Sequence, residues 1–205
     1  MAKTHHWMFG GVLFATAFFT ANSVAAKSKK PPTLLEIQFS TIEKIVVLPT
    51  VDARNGQKAS VKLENIQAQV LKLLKKKNYV VEAAPLQADA GELIEEDLKE
   101  ARPEWVKQLG PAEVRWVMVV CLGDVTSKLT FGSTGNAEVS GYLFDKQDAT
   151  LIWKQKGVGQ VGQGGLAGMM MKGTMKSAAL SGATFDLMRS VPKRPKARKV
   201  SAPVR

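Results

Sequence analysis

Lys44-Ile45-Val46-Val47-Leu48-Pro49, then apolar residues at Leu63, Ile66, Val70, Leu73 and Leu74, then Tyr79-Val80-Val81, is the passage on which the fold turns. The first run is short, rich in β-branched residues and stopped by a proline, as a buried strand is. The spacing of the second group is helical, and 52–60 ahead of it is turn-rich. That helix closes on Lys75-Lys76-Lys77, cations that complement the helix dipole, with Asn78 beyond in a position that tolerates the left-handed cap. Strand, helix and strand in this order make a unit whose two strands run parallel.

Downstream, two short helices are expected, one over 91–100 and one with Pro103 in its first turn and Gly110 after its end. Residues 114–122 are the most apolar stretch beyond the N-terminal segment and predict a central strand running on toward Leu129. A loop over 132–136 then leads into a hairpin over 138–156, turning at Asp145-Lys146-Gln147-Asp148. A last helix over 166–189 carries one stripe of Met171, Met175, Ala178, Gly182 and Phe185. Gly164 and Gly168, like Ala178 and Gly182, are small residues four apart that allow close backbone approach. The set Gly164, Gly168, Met171, Met175, Ala178, Gly182 and Phe185 is therefore the candidate packing or assembly surface.

Composition removes whole classes of chemistry. His5 and His6 are the only histidines and both fall within the first 26 residues, so imidazole acid/base catalysis, Ser-His-Asp and Cys-His nucleophiles and His-ligated zinc are excluded beyond them. Cys121 is the single cysteine, set among Val117-Met118-Val119-Val120 and Leu122, and reads as a buried small hydrophobe. Glu92, Glu95, Glu96, Asp97 and Glu100 fit a solvated helix face. Gly157-Val158-Gly159-Gln160-Val161-Gly162 matches the dinucleotide pattern, but the second parallel strand and ribose-binding acid that it requires do not follow; the glycines suit a mobile or closely packed connection. No cofactor and no metal is expected. Asp52, Asp124 and Asp145, near predicted strand ends, are the residues that a carboxylate-dependent hydrolase would use, and it would need two of them in one deep pocket.

The N-terminus reads as an export signal: Lys3, an apolar stretch over 7–19, then Val24-Ala25-Ala26, with cleavage expected between Ala26 and Lys27. About 13 apolar residues fall short of the roughly 20 that span a bilayer as a helix. No cysteine stands at the cleavage point, so the expectation is an exported protein that is not a lipoprotein. All eighteen acids lie between Glu36 and Asp186, where they meet eighteen cations, so the body is neutral. The positive charge sits at the ends: Lys27, Lys29 and Lys30 in front, and Arg189, Lys193, Arg194, Lys196, Arg198, Lys199 and Arg205 behind. With Pro192, Pro195 and Pro203 and few apolar residues, 191–205 is expected to be a disordered basic tail. Lys193, Arg194, Lys196, Arg198, Lys199 and Arg205 are the candidate contacts to an anionic lipid or glycan surface. Nucleic acid is disfavoured, because the body has no basic stripe with interleaved aromatics.

The order of pieces resembles a known family. Ile45-Val46-Val47-Leu48-Pro49, the helix ending near Leu74, Tyr79-Val80-Val81-Glu82 and the strand over 116–123 look like the periplasmic domain shared by CsgG, LpoB and the N-terminal part of TolB. Tyr142-Leu143-Phe144-Asp145 before a turn and Leu151-Ile152-Trp153 after it fit the same pattern, over about 44–190. The resemblance implies a three-layer α/β sandwich, a mixed β-sheet flanked by helices, in the envelope of a Gram-negative bacterium and working through protein contacts without catalysis. It departs from the family in lacking both the lipid-bearing cysteine and amphipathic membrane hairpins.

The expectation is thus a signal peptide over 1–26, a linker and lead-in over 27–43, one α/β domain over 44–190 and a disordered basic tail over 191–205. Functionally the expectation is a non-catalytic periplasmic protein, with peripheral association to the outer membrane as an option, that binds an envelope protein as an accessory, assembly or regulatory factor. Homo-oligomerisation and attachment to anionic lipid or glycan through the tail are the alternative partnerships, ahead of the hydrolase.

Overall fold

The computed structural model describes residues 33–54, 61–84, 95–129, 132–164 and 172–195. The signal peptide with its Ala26/Lys27 junction and the linker over 27–32 lie outside these residues. So do Glu92, Gly168, Met171, Lys196, Arg198, Lys199 and Arg205.

The chain runs α1 (Leu34–Ser40), β1 (Lys44–Val47), β2 (Val51–Asp52), α2 (Leu63–Lys76), β3 (Val80–Ala83), α3 (Glu95–Glu100), α4 (Pro103–Gln108), β4 (Trp116–Leu129), β5 (Gly132–Asp145), β6 (Thr150–Gly164) and α5 (Lys172–Arg189). Six strands form one mixed sheet in the order β3-β1-β4-β5-β6, with β2 also paired to β4. The expected unit is present: β1 and β3 run parallel, Ile45 opposite Val81, with α2 between them. β1 also pairs parallel with β4, and β4, β5 and β6 form a long antiparallel meander.

Alternation along β4 makes the layers. Trp116, Met118, Val120 and Leu122 join one buried cluster with Ile66, Val70 and Leu74 of α2 and Ala179, Ala183 and Leu187 of α5. Val117, Val119 and Cys121 join the other, with Leu98 of α3 and Val106 of α4. Two residues apart on a strand means the same face, so both faces of the sheet are covered and the α/β sandwich has three layers. Cys121 is fully buried, and burial holds its thiol far above the usual range, as an inert core residue.

Several boundaries differ from the sequence reading. The lead-in holds a helix: Thr33 and Glu36 form a reciprocal capping box on α1, and Phe39 and Ile42 are buried in the core, so packing begins ahead of Lys44. Residues 132–136 are strand, because β4 and β6 pair with β5 as far as Ser133 and Gly132. The glycine segment 157–164 is likewise strand, within β6.

That segment is glycine-rich because α5 lies on it. A Cβ at Gly159 would sit 1.9 Å from the Ala179 carbonyl, one at Gly157 2.2 Å from that of Ala183, and one at Gly135 2.5 Å from that of Met175. Ala137 pairs with Gly159 and Val139 with Gly157, so one face of the β5-β6 ribbon is a shallow trough of small residues that receives the helix backbone. These are sites where close approach admits no side chain.

The face of α5 is consequently not the predicted one. Met175 is buried as expected, but the packed stripe continues through Ala179, Leu180, Ala183, Thr184, Leu187 and Met188. Gly182 is exposed, Ala178 is half-buried and Phe185 is 59% exposed. The sequence stripe was displaced because the trough selects small residues, and Ala179 and Ala183 carry less hydrophobic signal than Met175 or Phe185 while fitting closer. Gly164 ends β6 with open space where a side chain would stand.

Candidate anionic-surface interface

The end of α2 is built as the sequence suggests. Asn78 is left-handed, with φ 70°. The Asn78 amide donates to the Lys75 carbonyl and that of Tyr79 reaches back to Leu74, closing the helix in a Schellman-like turn. Lys75 and Lys76 are exposed, and Lys77 is half-buried.

The C-terminal segment returns to this turn. The Arg194 amide donates to the Lys77 carbonyl at 2.9 Å. The Lys77 ammonium donates to Val191 O at 2.5 Å, the Asn78 side-chain amide to Arg194 O at 2.8 Å and the Tyr79 hydroxyl to Pro192 O at 3.0 Å. On the other side, the Arg194 guanidinium donates to Glu43 O at 3.4 Å, and Val191 is buried in the core. Residues 191–195 therefore form an ordered strap across the start of β1 and β3, which corrects the expected disorder for this part of the tail. The reason is that Lys77, Asn78 and Tyr79 satisfy the carbonyls of Val191, Arg194 and Pro192.

Burial shapes the strap's chemistry. It pushes the Tyr79 hydroxyl up to about 12, partly offset by Arg194. It pulls the Lys77 ammonium down, and the neighbouring positive Lys193 adds to that pull. The strap so gathers cations that lie far apart in the chain: Lys193 and Arg194 meet Lys75, Lys76 and Lys77, with Lys72 one turn back. Among the described residues none of these six makes an ion pair with an acid. Ala68 and Leu71 form the apolar floor of a shallow groove on the outer side of α2, and Lys72, Lys75 and Lys76 rim it.

Of the predicted anionic-surface contacts, Lys193 and Arg194 are in this basic pole, and the remaining four lie outside the described residues. The lysines at the end of α2, which the sequence explains by the helix dipole alone, belong to it as well. The signal that could have found the pole is the match between donors at Lys77, Asn78 and Tyr79 and the carbonyls of Val191, Arg194 and Pro192; it is invisible without the tertiary contact.

Two of the candidate carboxylates, Asp145 and Asp52, are engaged by arginines. Asp145 is buried and accepts two bonds from Arg115 Nε at 3.0 Å, one from Arg115 Nη2 at 2.7 Å and one from the Gln147 amide, fixing the β5-β6 turn. Burial is nearly complete for Asp145, at 1% exposed, while its Arg115 partner is half in solvent. Asp52 is engaged by Arg54 through both oxygens, at 2.7 and 2.5 Å. That hydrogen-bonded pairing raises the Arg54 guanidinium, Asp124 adding to the effect from β4. Asp145 faces Trp116 in register and Asp52 faces Leu122, six residues along β4, or about 20 Å at the usual strand rise. Asp145 is thus held apart from Asp52, whereas Asp52 and Asp124 both act on Arg54. Among the described residues no group of three His, Cys, Asp or Glu side chains could hold a metal. In the acidic helix, Glu95 accepts from the Tyr142 hydroxyl at 3.0 Å and pairs with Lys99.

The class defined here is a three-layer α/β domain with a mixed sheet and a basic pole at one end. No family model matches the chain, and no curated protein does. Among solved structures, it is similar to PelC from Paraburkholderia phytofirmans, solved as a dodecamer, at 14% identity over 72% of this chain and 87% of that one, TM-score 0.42. It is similar to Lipoprotein GNA1162 from Neisseria meningitidis at 16% identity over 66% and 96%, TM-score 0.43. The hypothetical protein CT253 from Chlamydia trachomatis gives 12% over 73% and 93%, TM-score 0.46. Similarities at this level carry no functional assignment.

Proposed function

We propose that the protein is an exported, non-catalytic envelope component that holds a negatively charged partner through its basic pole, as an accessory or assembly factor. The observation that carries this reading is the strap: four hydrogen bonds fix the base of the cationic tail against the lysine-rich end of α2 and its cap, and a fifth ties it to the Glu43 carbonyl. Clustered, unpaired cations attract anionic surfaces over about a Debye length, ~8 Å at physiological salt. The commitment of Asp52 and Asp145 to arginines, with 145 remote from 52 and 124, supports a non-catalytic role. The sequence resemblance to the CsgG, LpoB and TolB periplasmic domains, the export signal and a periplasmic location without a lipid anchor belong to the same proposal.

The test is retention of the protein on immobilised dextran sulfate. Native protein is expected to bind at low salt and to elute as salt rises. A Lys75→Glu/Lys76→Glu/Lys193→Glu variant, altered only at exposed positions, is expected to elute much earlier. Equal elution of the two would overturn the reading.

A second partnership rests on Phe185. With Ala178 and Gly182 it forms an outward face of α5 on which a second copy could pack. Native mass tests this: an oligomer dispersed by Phe185→Ser supports it, and a monomer overturns it.

A further inference from the structure

We infer that the basic pole is a docking surface for an anionic lipid bilayer, with Leu34 and Ile37 of α1 as the groups that enter it. The inference rests on the basic pole proposed above and names its partner. Five large apolar side chains are strongly exposed among the described residues: Leu34 at 74%, Ile37 at 51%, Val80, Val158 and Phe185. Three of the five belong to elements that meet at the strap.

α1 packs there through Phe39, whose ring meets that of Tyr79 edge-on at 6.2 Å, and Tyr79 in turn donates to the strap at Pro192. The backbone carbonyl of Glu43, just beyond α1, accepts from the Arg194 guanidinium. Val80 opens β3 immediately after Tyr79. Leu34 and Ile37 stand three apart, on the side of α1 away from Phe39, so they form one apolar ridge facing solvent.

A soluble polyanion would need only the cations. An acidic glycan has no apolar layer to receive Leu34 and Ile37, whereas a bilayer offers phosphate-bearing headgroups over acyl chains. The outer side of α2 repeats the same combination, with Ala68 and Leu71 between Lys72, Lys75 and Lys76. Lysine stems lie along apolar surface while their ammoniums reach headgroups. Juxtamembrane cations and buried apolar side chains each contribute modestly, and together they give stable but reversible attachment.

The experiment compares protein beginning at Lys27 with vesicles of pure phosphatidylcholine, vesicles of equimolar phosphatidylcholine and phosphatidylglycerol, and dextran sulfate. Native protein is expected to sediment with the anionic vesicles and not with the neutral ones. Leu34→Ser/Ile37→Ser is expected to lose at least about tenfold in vesicle affinity while keeping its dextran sulfate affinity. Lys75→Glu/Lys76→Glu/Lys193→Glu is expected to lose both. Native protein that binds dextran sulfate but not anionic vesicles, or a Leu34/Ile37 variant that binds vesicles as native does, would overturn the lipid inference and leave the basic pole standing. Failure of native protein to bind either probe would overturn both.

Discussion

The backbone amide of Arg194 donates to the carbonyl of Lys77 at 2.9 Å, joining residues 117 positions apart at the point where the cationic tail leaves the domain. The contact turns a helix terminus and a chain terminus into one charged surface. Asn78 secures it from the other side, and it can do so because its left-handed backbone aims the side-chain amide at the Arg194 carbonyl.

Asn78→Gly keeps the backbone conformation and removes that side-chain bond. The expected cost is about 1 kcal/mol of stability, with a local loss of amide hydrogen-exchange protection at Arg194. Unchanged exchange there would show that the strap does not depend on Asn78.

Tyr79 gives the strap a pH signature. Its folded hydroxyl titrates near 12, above its ordinary 10, so the stabilisation is fully present below pH ~10 and is lost as pH rises through ~12. Tyr142, also held above its usual range mainly by burial and then by Glu95, adds to the same alkaline fall. Tyr79→Phe should give a shallower decline between these pH values in denaturant titrations, together with a loss of about 1 kcal/mol at neutral pH from the missing bond to Pro192. An alkaline limb identical to that of native protein would contradict the assignment.

The glycine trough separates a packing role from a phosphate loop. Gly159→Ala places a methyl against the Ala179 carbonyl and should destabilise by about 2 to 3 kcal/mol. Gly162→Ala, whose methyl would meet only a Thr134 methyl at 3.6 Å, should stay within about 0.5 kcal/mol. Chemical denaturation measures both; similar values for the two would refute the trough.

On α5, Leu187→Ala should cost about 2 to 5 kcal/mol, since the side chain is fully buried. Phe185→Ala should change the stability of a single chain by no more than about 0.5 kcal/mol. Thermal unfolding of the two variants at low protein concentration distinguishes the observed face from the one predicted by hydrophobic spacing.

Asp145→Asn should lower stability by about 2 kcal/mol, the partly exposed Arg115 limiting the effect. A variant as stable as native protein would show that the acid is not a structural clamp and would reopen its chemistry.

Strong local signals carried most of the fold into the sequence. The parallel unit around α2, the Asn78 cap, Pro103 and Gly110 bracketing α4, and the long apolar run of β4 were all legible because each element's own residues announce it. β5 and β6 were cut short because Gly132, Gly135, Asn136, Gly157 and Gly159 lack β propensity; neighbouring strands and α5 impose their conformation. α1 was missed although Thr33 and Glu36 spell its capping box. The basic pole was half legible: its cations stand out by charge, but only the strap's long-range hydrogen bonds show that the two ends of the set share one surface.

The salt dependence of dextran sulfate affinity tests the central claim most directly. Log affinity against log salt should fall steeply for native protein and by about two to three fewer charges' worth of slope when Lys75, Lys76 and Lys193 are replaced by glutamine. Equal slopes for the two proteins would mean that these cations do not act together, and would contradict a basic pole assembled by the strap.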